Sequence, residues 1–309
     1  MIRYRSALRS SLRPVLAAAL LGIPTSSAAA GDPFADAVTA FVPGVGGTPG
    51  FNVPLATLGS PTRCTGEGFF PGVVSPFNPP YLSEEIISLG AGGSIVVEFF
   101  EPLLDDPANP FGIDLLIFGN TGFIDFDFPA GLIGGLFSDD GGVVEVSEDG
   151  VEFVLVEGAV ADGLFPTLGY LDSGPFDLEP GLVQSDFTRP VAPAHGRMPL
   201  EGTDFATLVA MYDGSGGGAG IDLASTGLKA IRFVRVSVSV GSRLSVEIDA
   251  FSDVAAVGLF GDLDGDSLVN GADLGLLLAA WGEASPGDLD GNGVVDGADL
   301  GLLLAEWTP

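Results

Sequence analysis

The chain holds one cysteine, Cys64, and one histidine, His195, in 309 residues. A lone thiol cannot close an intramolecular disulfide, so the fold must be held by its core and, where present, by metal. A Cys–His nucleophilic pair is argued against by the setting of His195 in Pro193-Ala194-His195-Gly196, which reads as a loop. A histidine-dependent metallohydrolase is disfavoured by the same scarcity. The sequence also lacks a Gly-x-Ser-x-Gly elbow, a His-Glu-x-x-His helix and a phosphate-cradling loop, and no catalytic residue is assigned. After the first thirty residues no stretch reaches eighteen uninterrupted apolar positions, so no membrane insertion is expected. Between residues 86 and 257 no 3.6-residue apolar period persists over ten positions, which argues against parallel α/β folds built on crossover helices.

Basic residues are few and unevenly placed. Arg3, Arg5, Arg9 and Arg13 precede an apolar run from Val15 to Ile23, and Ala28-Ala29-Ala30 follows. That layout predicts a secretory signal peptide over residues 1–30 and an exported protein, extracellular, periplasmic or at the cell surface. The remaining chain carries 7 basic residues, Lys229 being its one lysine, against 41 acidic ones, for a net charge of about −34. Such a surface repels nucleic acid and anionic membranes and attracts divalent cations.

Residues 31–257 read as one domain of short strands. Residues 32–80 are too rich in glycine and proline for long helices. Residues 94–100, 114–119 and 244–251 are β-rich, and residues 143–147 and 151–155 flank Glu148-Asp149-Gly150 as a hairpin would. Residues 230–238 alternate apolar with polar, except that Arg232 and Arg235 have opposite parity. Residues 203–210 read as a strand and residues 214–220 as an exposed flexible loop. The expected class is mainly β, an antiparallel, jelly-roll-like β-sandwich. Asp125 and Asp127 would share one strand face and could hold a cation or sugar hydroxyls. Tyr170, Phe176, Phe187 and Tyr212 could supply the aromatic groups of a binding edge.

Residues 258–309 contain an internal repeat at an offset of 26 residues. Each copy places oxygen-bearing side chains at positions 1, 3, 5, 9 and 12 of a twelve-residue loop. These are Asp262, Asp264, Asp266, Asn270 and Asp273, then Asp288, Asp290, Asn292, Asp296 and Asp299. Calcium takes six to eight oxygens at about 2.3–2.6 Å, and this spacing wraps them around one ion per loop, with a backbone carbonyl from Leu268 or Val294 at position 7. Gly293 occupies the sharp-turn position 6 of the second loop, where the first has Ser267. Leu274, Leu277, Leu278 and Trp281, and likewise Leu300, Leu303, Leu304 and Trp307, then fall at i, i+3, i+4 and i+7. They predict two short helices that pack face to face, burying both tryptophans at least in part. With 10 acidic and no basic residues between Leu259 and Pro309, folding of this unit should be coupled to ion binding.

The repeat closely resembles a type I dockerin, an EF-hand-like double calcium module. The resemblance implies two calcium ions, near two-fold symmetry, and a cohesin-type or other surface partner met at loop positions 10 and 11. Those positions here are Gly271-Ala272 and Gly297-Ala298, without the hydroxyl and basic groups common in cellulosomal members. Residues 94–100, 114–119, 143–153 and 247–254 also resemble the secreted or cell-surface β-sandwich domains found before such tails in planctomycete bacteria. Together these imply a binding or adhesion protein, plausibly engaging a polysaccharide, tethered through a calcium-dependent module. A glycan-active hydrolase with the same tail and a non-catalytic structural surface protein are the alternatives.

Overall fold

A computed structural model describes residues 33–138, 140–254, 261, 263, 269–283, 285, 287–290, 292–305 and 307. The expected leader (1–30) and the expected boundary at 257/258 lie outside the described residues.

Short β-branched and apolar runs build the strands. In chain order they are β1 (Ala37–Val42), β2 (Cys64–Thr65), β3 (Gly72–Val73), β4 (Ile87–Leu89), β5 (Ser94–Leu104), β6 (Leu115–Phe118), β7 (Gly122–Asp125), β8 (Ile133–Phe137), β9 (Val143–Ser147) and β10 (Val154–Leu155). Helix α1 (Phe205–Tyr212) follows, then β11 (Ala219–Ile221), β12 (Ala230–Ser237), β13 (Val246–Ile248) and β14 (Ala250–Asp253), and finally helices α2 (Gly271–Ala279) and α3 (Gly297–Ala305). The strands pair antiparallel in five sheets: β1-β5-β12-β9-β10, β11-β6-β14, β13-β4, β2-β3 and β7-β8.

The expected jelly-roll-like sandwich is not what forms. The architecture is mixed: several small open antiparallel sheets with three α-helices. Strand β6 shows why two layers do not suffice. All four of its residues are buried, with Leu115 and Ile117 feeding the core shared with the five-stranded sheet. Leu116 and Phe118 point the other way, into a second cluster with Phe187, Ala250 and Val254. A strand buried on both faces needs cover on both, and on the second face the loop residues Ile113, Phe187 and Val254 supply it.

The parity break in β12 has a local cause. Its register against β5 shifts between Ile231 and Phe233, a bulge that lets Ile231 and Val234 both reach the core fully buried. Arg235 then lies on the outer face, bonded to Glu145 through Nε and Nη2 at 2.7 and 2.6 Å and stacked 4.0 Å from the Phe153 ring centroid. The expected β9–β10 hairpin forms, but β10 begins at Val154, because Asp149 accepts the amides of Val151 and Glu152 and holds that stretch as a turn.

Of residues 203–210, expected as a strand, those from Phe205 onward are helical instead of extended. Asp204 caps α1 by accepting the Thr207 amide at 2.8 Å, and Leu208 and Tyr212, four apart, are its buried pair. Two buried positions in eight residues leave too weak a period to read from sequence. The glycine run after it is not an exposed loop: residues 215–219 are buried. A Cβ on Gly216 would stand 2.1 Å from a Phe187 ring carbon, and one on Gly217 2.3 Å from the Pro166 carbonyl oxygen. These glycines are where backbone meets neighbour without room for a side chain.

Candidate metal centre

The two C-terminal repeats interlock through glycine. A Cβ on Gly261 would lie 3.3 Å from the Cα of Leu303, and one on Gly287 3.6 Å from the Cα of Leu277. The offset that maps the first glycine onto the second also maps Leu277 onto Leu303, so the contacts are reciprocal and each repeat opens against the other's helix. Leu277, Leu303, Val269 and Val295 are fully buried at the centre, with Leu263, Leu274, Leu289 and Leu300 packed around them. Burying each leucine contributes on the order of 2–3 kcal/mol, which two nine-residue helices need because neither persists alone in water.

The apolar stripe is therefore narrower than its spacing suggests. Leu278, Leu304, Trp281 and Trp307 are exposed, the tryptophans by 47% and 40%, and neither enters the buried cluster. Val269 and Val295, at loop position 8, take the place inside. Their signal was a repeated valine between ligand positions.

In the second loop Asp288, Asp290 and Asp299 bring one carboxylate oxygen each to within 4.8 Å of one another. Gly293 has φ +95°, the left-handed turn expected at position 6. Asp288 accepts the amides of Asn292 and Gly293 at 3.0 and 2.8 Å, and Asp290 also accepts the Asn292 amide at 3.0 Å. Fully buried Asp299 takes the Leu289 amide on Oδ1 and the Asp296 amide on Oδ2, both at 2.7 Å. The Asp296 amide, with those of Asp290 and Leu289, holds the Asp299 carboxyl below the usual range, so the group stays ionised. Its Oδ1 also accepts the Asp290 amide at 3.1 Å, so Oδ2, with a single amide, is the oxygen that retains a lone pair for a cation.

Asn292 and Asp296 face backbone, accepting the amides of Val294 and Ala298 at 3.0 and 2.7 Å, the latter as a cap on α3. The first loop repeats this wiring. Asp273 takes the Leu263 and Asn270 amides at 2.7 and 2.8 Å, and Asn270 takes the Ala272 amide at 2.8 Å. Asp262, Asp264, Asp266 and Leu268 lie outside the described residues.

Two further carboxylate groups lie in the larger part of the chain: Asp105 with Asp114 and Asp222, and Asp140 with Asp162 and Glu247. Three acidic clusters are thus capable of chelating a divalent ion among the described residues. In the last, burial raises the Asp162 carboxyl well above its ordinary value and raises Glu247 as well. Thr121 donates to Asp162 at 2.6 Å, and Ser88 and Ser245 donate to Glu247 at 2.7 and 2.9 Å. Asp162 and Glu247 lie beneath the surface, out of reach of a polymeric substrate.

Asp125 and Asp127 do not converge on a ligand. Asp125 accepts the amides of Asp127, Gly131 and Leu132 at 2.9, 2.9 and 2.8 Å, which makes it the organiser of its own turn. Of the four aromatic candidates, Phe187 and Tyr212 are core residues. Phe176 belongs instead to a cluster with Phe70 and Phe128, ring centroids 4.9–5.8 Å apart, of which Phe70 and Phe128 are exposed. Phe126, nearby in sequence, is exposed by 68%. Cys64 is exposed and free, and His195 lines a cavity of about 450 Å³ with Arg189, Thr207 and Asp213. No helix among the described residues is long and apolar enough to cross a membrane.

Buried Asp249 gives a measurable pH signature. Burial pushes its carboxyl up to about 7 despite the Thr62 amide and hydroxyl, which donate to it at 2.8 and 3.0 Å. The folded state therefore holds a proton that the unfolded state has released, and stability falls as pH rises from about 4 through about 7, by at most about 1.4 kcal/mol per pH unit. Asp249→Asn preserves both bonds, the Thr62 hydroxyl turning from donor to acceptor. Urea unfolding should show the variant and the parent nearly equal at or below pH 4 and the variant more stable by on the order of 4 kcal/mol at pH 8. Parallel pH profiles for the two would contradict this.

No protein-family model matches the chain, and a search of curated proteins returned no significant match.

Proposed function

We propose that the chain is a binding or adhesion protein tethered through a calcium-dependent, dockerin-like C-terminal module. The observation that carries this reading is the second loop, where three carboxylates gather within 4.8 Å at the head of a helix whose partner helix is fixed reciprocally. An all-oxygen set on a loop with a left-handed glycine suits calcium, whereas magnesium requires a tighter octahedron and dehydrates reluctantly. Two such loops take two ions.

The partner is a surface protein of cohesin type or similar. Gly271, Ala272, Gly297 and Ala298 are all exposed, as are Leu278, Leu304 and both tryptophans, so the module offers small residues beside an apolar rim. Polysaccharide is the ligand we assign to the larger part. The exposed rings of Phe70, Phe126 and Phe128 offer flat apolar faces, and Asp162 and Glu247 are too buried to flank a glycosidic bond.

Incubating the full chain with insoluble polysaccharides, with calcium and with chelator, tests this. Retention without reducing-end release is the expected result. Release of reducing ends would instead make it a hydrolase, and neither retention nor release would make it structural.

A further inference from the structure

The connection from β5 to β6 and the residue after β11 meet at one edge of the three-stranded sheet. Asp114 donates its backbone amide to the Ile221 carbonyl at 2.9 Å, which brings Asp222 beside it, and Asp105 completes a triplet with oxygens within 4.8 Å. Asp114 is held in place by three donors: the Asp106 amide at 3.0 Å and Asn109 Nδ2 at 2.9 Å on Oδ1, and the Leu223 amide at 2.9 Å on Oδ2.

Asn109 adds the independent observation. It is 6% exposed, its Nδ2 is spent on Asp114, and its Oδ1, on the same carbon, is buried with no donor. The acceptor at Asp114 dictates that orientation, since a flipped carboxamide would set oxygen against oxygen. A buried carbonyl oxygen without a donor is costly unless something electropositive meets it. A cation among the three carboxylates would do so. Lys229 is the local positive charge, its Nζ 2.6 Å from Asp105 Oδ2, but the lysine side chain is 84% exposed and approaches from outside.

We infer that Asp105, Asn109, Asp114 and Asp222 form a calcium site, separate from the C-terminal loops, that pins the β5–β6 connection to the end of β11. The donor set is all oxygen, three carboxylates and one carboxamide, which is the chemistry of a hard divalent cation. Its role is to tie two chain segments that share no disulfide.

The test uses the full chain carrying Asp273→Ala and Asp299→Ala, so that the tail loops are disabled, titrated calorimetrically with calcium chloride. One remaining site with a Kd of about 1 mM or tighter is expected, the range of extracellular calcium modules. Adding Asp222→Ala should weaken it at least about tenfold, while adding Glu201→Ala, an exposed acid elsewhere, should not. Adding Lys229→Ala instead should tighten it, because the competing ammonium is gone. No binding in the doubly substituted chain, or affinity indifferent to both Asp222 and Lys229, overturns the assignment. Neither result bears on the tail, whose own titration in the parent chain reads separately.

Discussion

The Asp299→Ala chain is expected to lose calcium binding at the second loop by at least about a hundredfold and to lose the α2–α3 pair with it. Asp299 serves three purposes at once. It contributes an oxygen to the carboxylate triplet, it ties positions 2 and 3 of the loop by accepting the Leu289 and Asp290 amides, and it takes the Asp296 amide at the start of α3. Alanine leaves those amides unanswered under a core of a few leucines and valines, too small to absorb the loss. Both tryptophans of the chain lie in this unit, so their emission reports it alone. Calcium titrated into the parent should change tryptophan emission and raise helical far-ultraviolet signal in two-site fashion. In the variant, emission should match the chelated parent at every calcium concentration. An Asp299→Ala chain with the parent's isotherm would remove the calcium reading of the tail.

The second large effect is expected at Arg63, where alanine should cost about 3 kcal/mol and lower the melting temperature of the larger part by roughly 10 °C. Its guanidinium reaches across the chain to the segment before α1: Nη1 donates to the Gly169 carbonyl at 2.6 Å and to Ser185 Oγ at 3.2 Å, and Nη2 donates to the Ser185 carbonyl at 3.0 Å. Its plane lies 3.9 Å from the Phe187 ring centroid, and Phe187 packs edge-on against Phe118 of β6. Removing the guanidinium orphans the Ser185 carbonyl, takes the shortest donor from the Gly169 carbonyl and uncovers a core ring in one step. Arg63→Lys keeps the charge but not the planar fork, and should recover less than half of the loss. Thermal unfolding followed by near-ultraviolet dichroism would measure both. A melting temperature within 2 °C of the parent for Arg63→Ala would show that residues 169–187 hold without it.

What could be read from the sequence divides along a physical line. The gathering of Asp288, Asp290 and Asp299 was legible because the spacing of those acids is local and occurs twice in the sequence. The strands β5, β6 and β9 were legible as short β-rich or apolar runs bounded by turns and β12 by its partial alternation, whereas residues 244–251, which read as one strand, divide into β13 and β14 in separate sheets. Even the misfit at Arg232 and Arg235 carried information, since the parity break marks the bulge. The architecture was not legible, because whether β6 is covered on one face or both depends on segments distant from it. Arg63 stood as a solitary cation in a glycine-rich stretch, and its partners lie 106 and 122 positions away. The Asp162–Glu247 contact spans 85 positions and gives no spacing to detect. Glycines 216 and 217 misled for a related reason: composition reports their backbone freedom, whereas here they serve close approach. Asp125 was singled out as able to hold a cation or sugar hydroxyls, but its carboxylate accepts three amides of its own turn.

The reciprocal packing of Gly261 on Leu303 and Gly287 on Leu277 reaches beyond the module's geometry. Neither half owns a complete interior, so the duplicated segment is the smallest piece that can be inherited, transplanted or trimmed as a working whole. A single peptide-bond cut in the linker between the repeats would leave two fragments obliged to find each other again, and an ion captured by one half would steady the wall against which the other half closes.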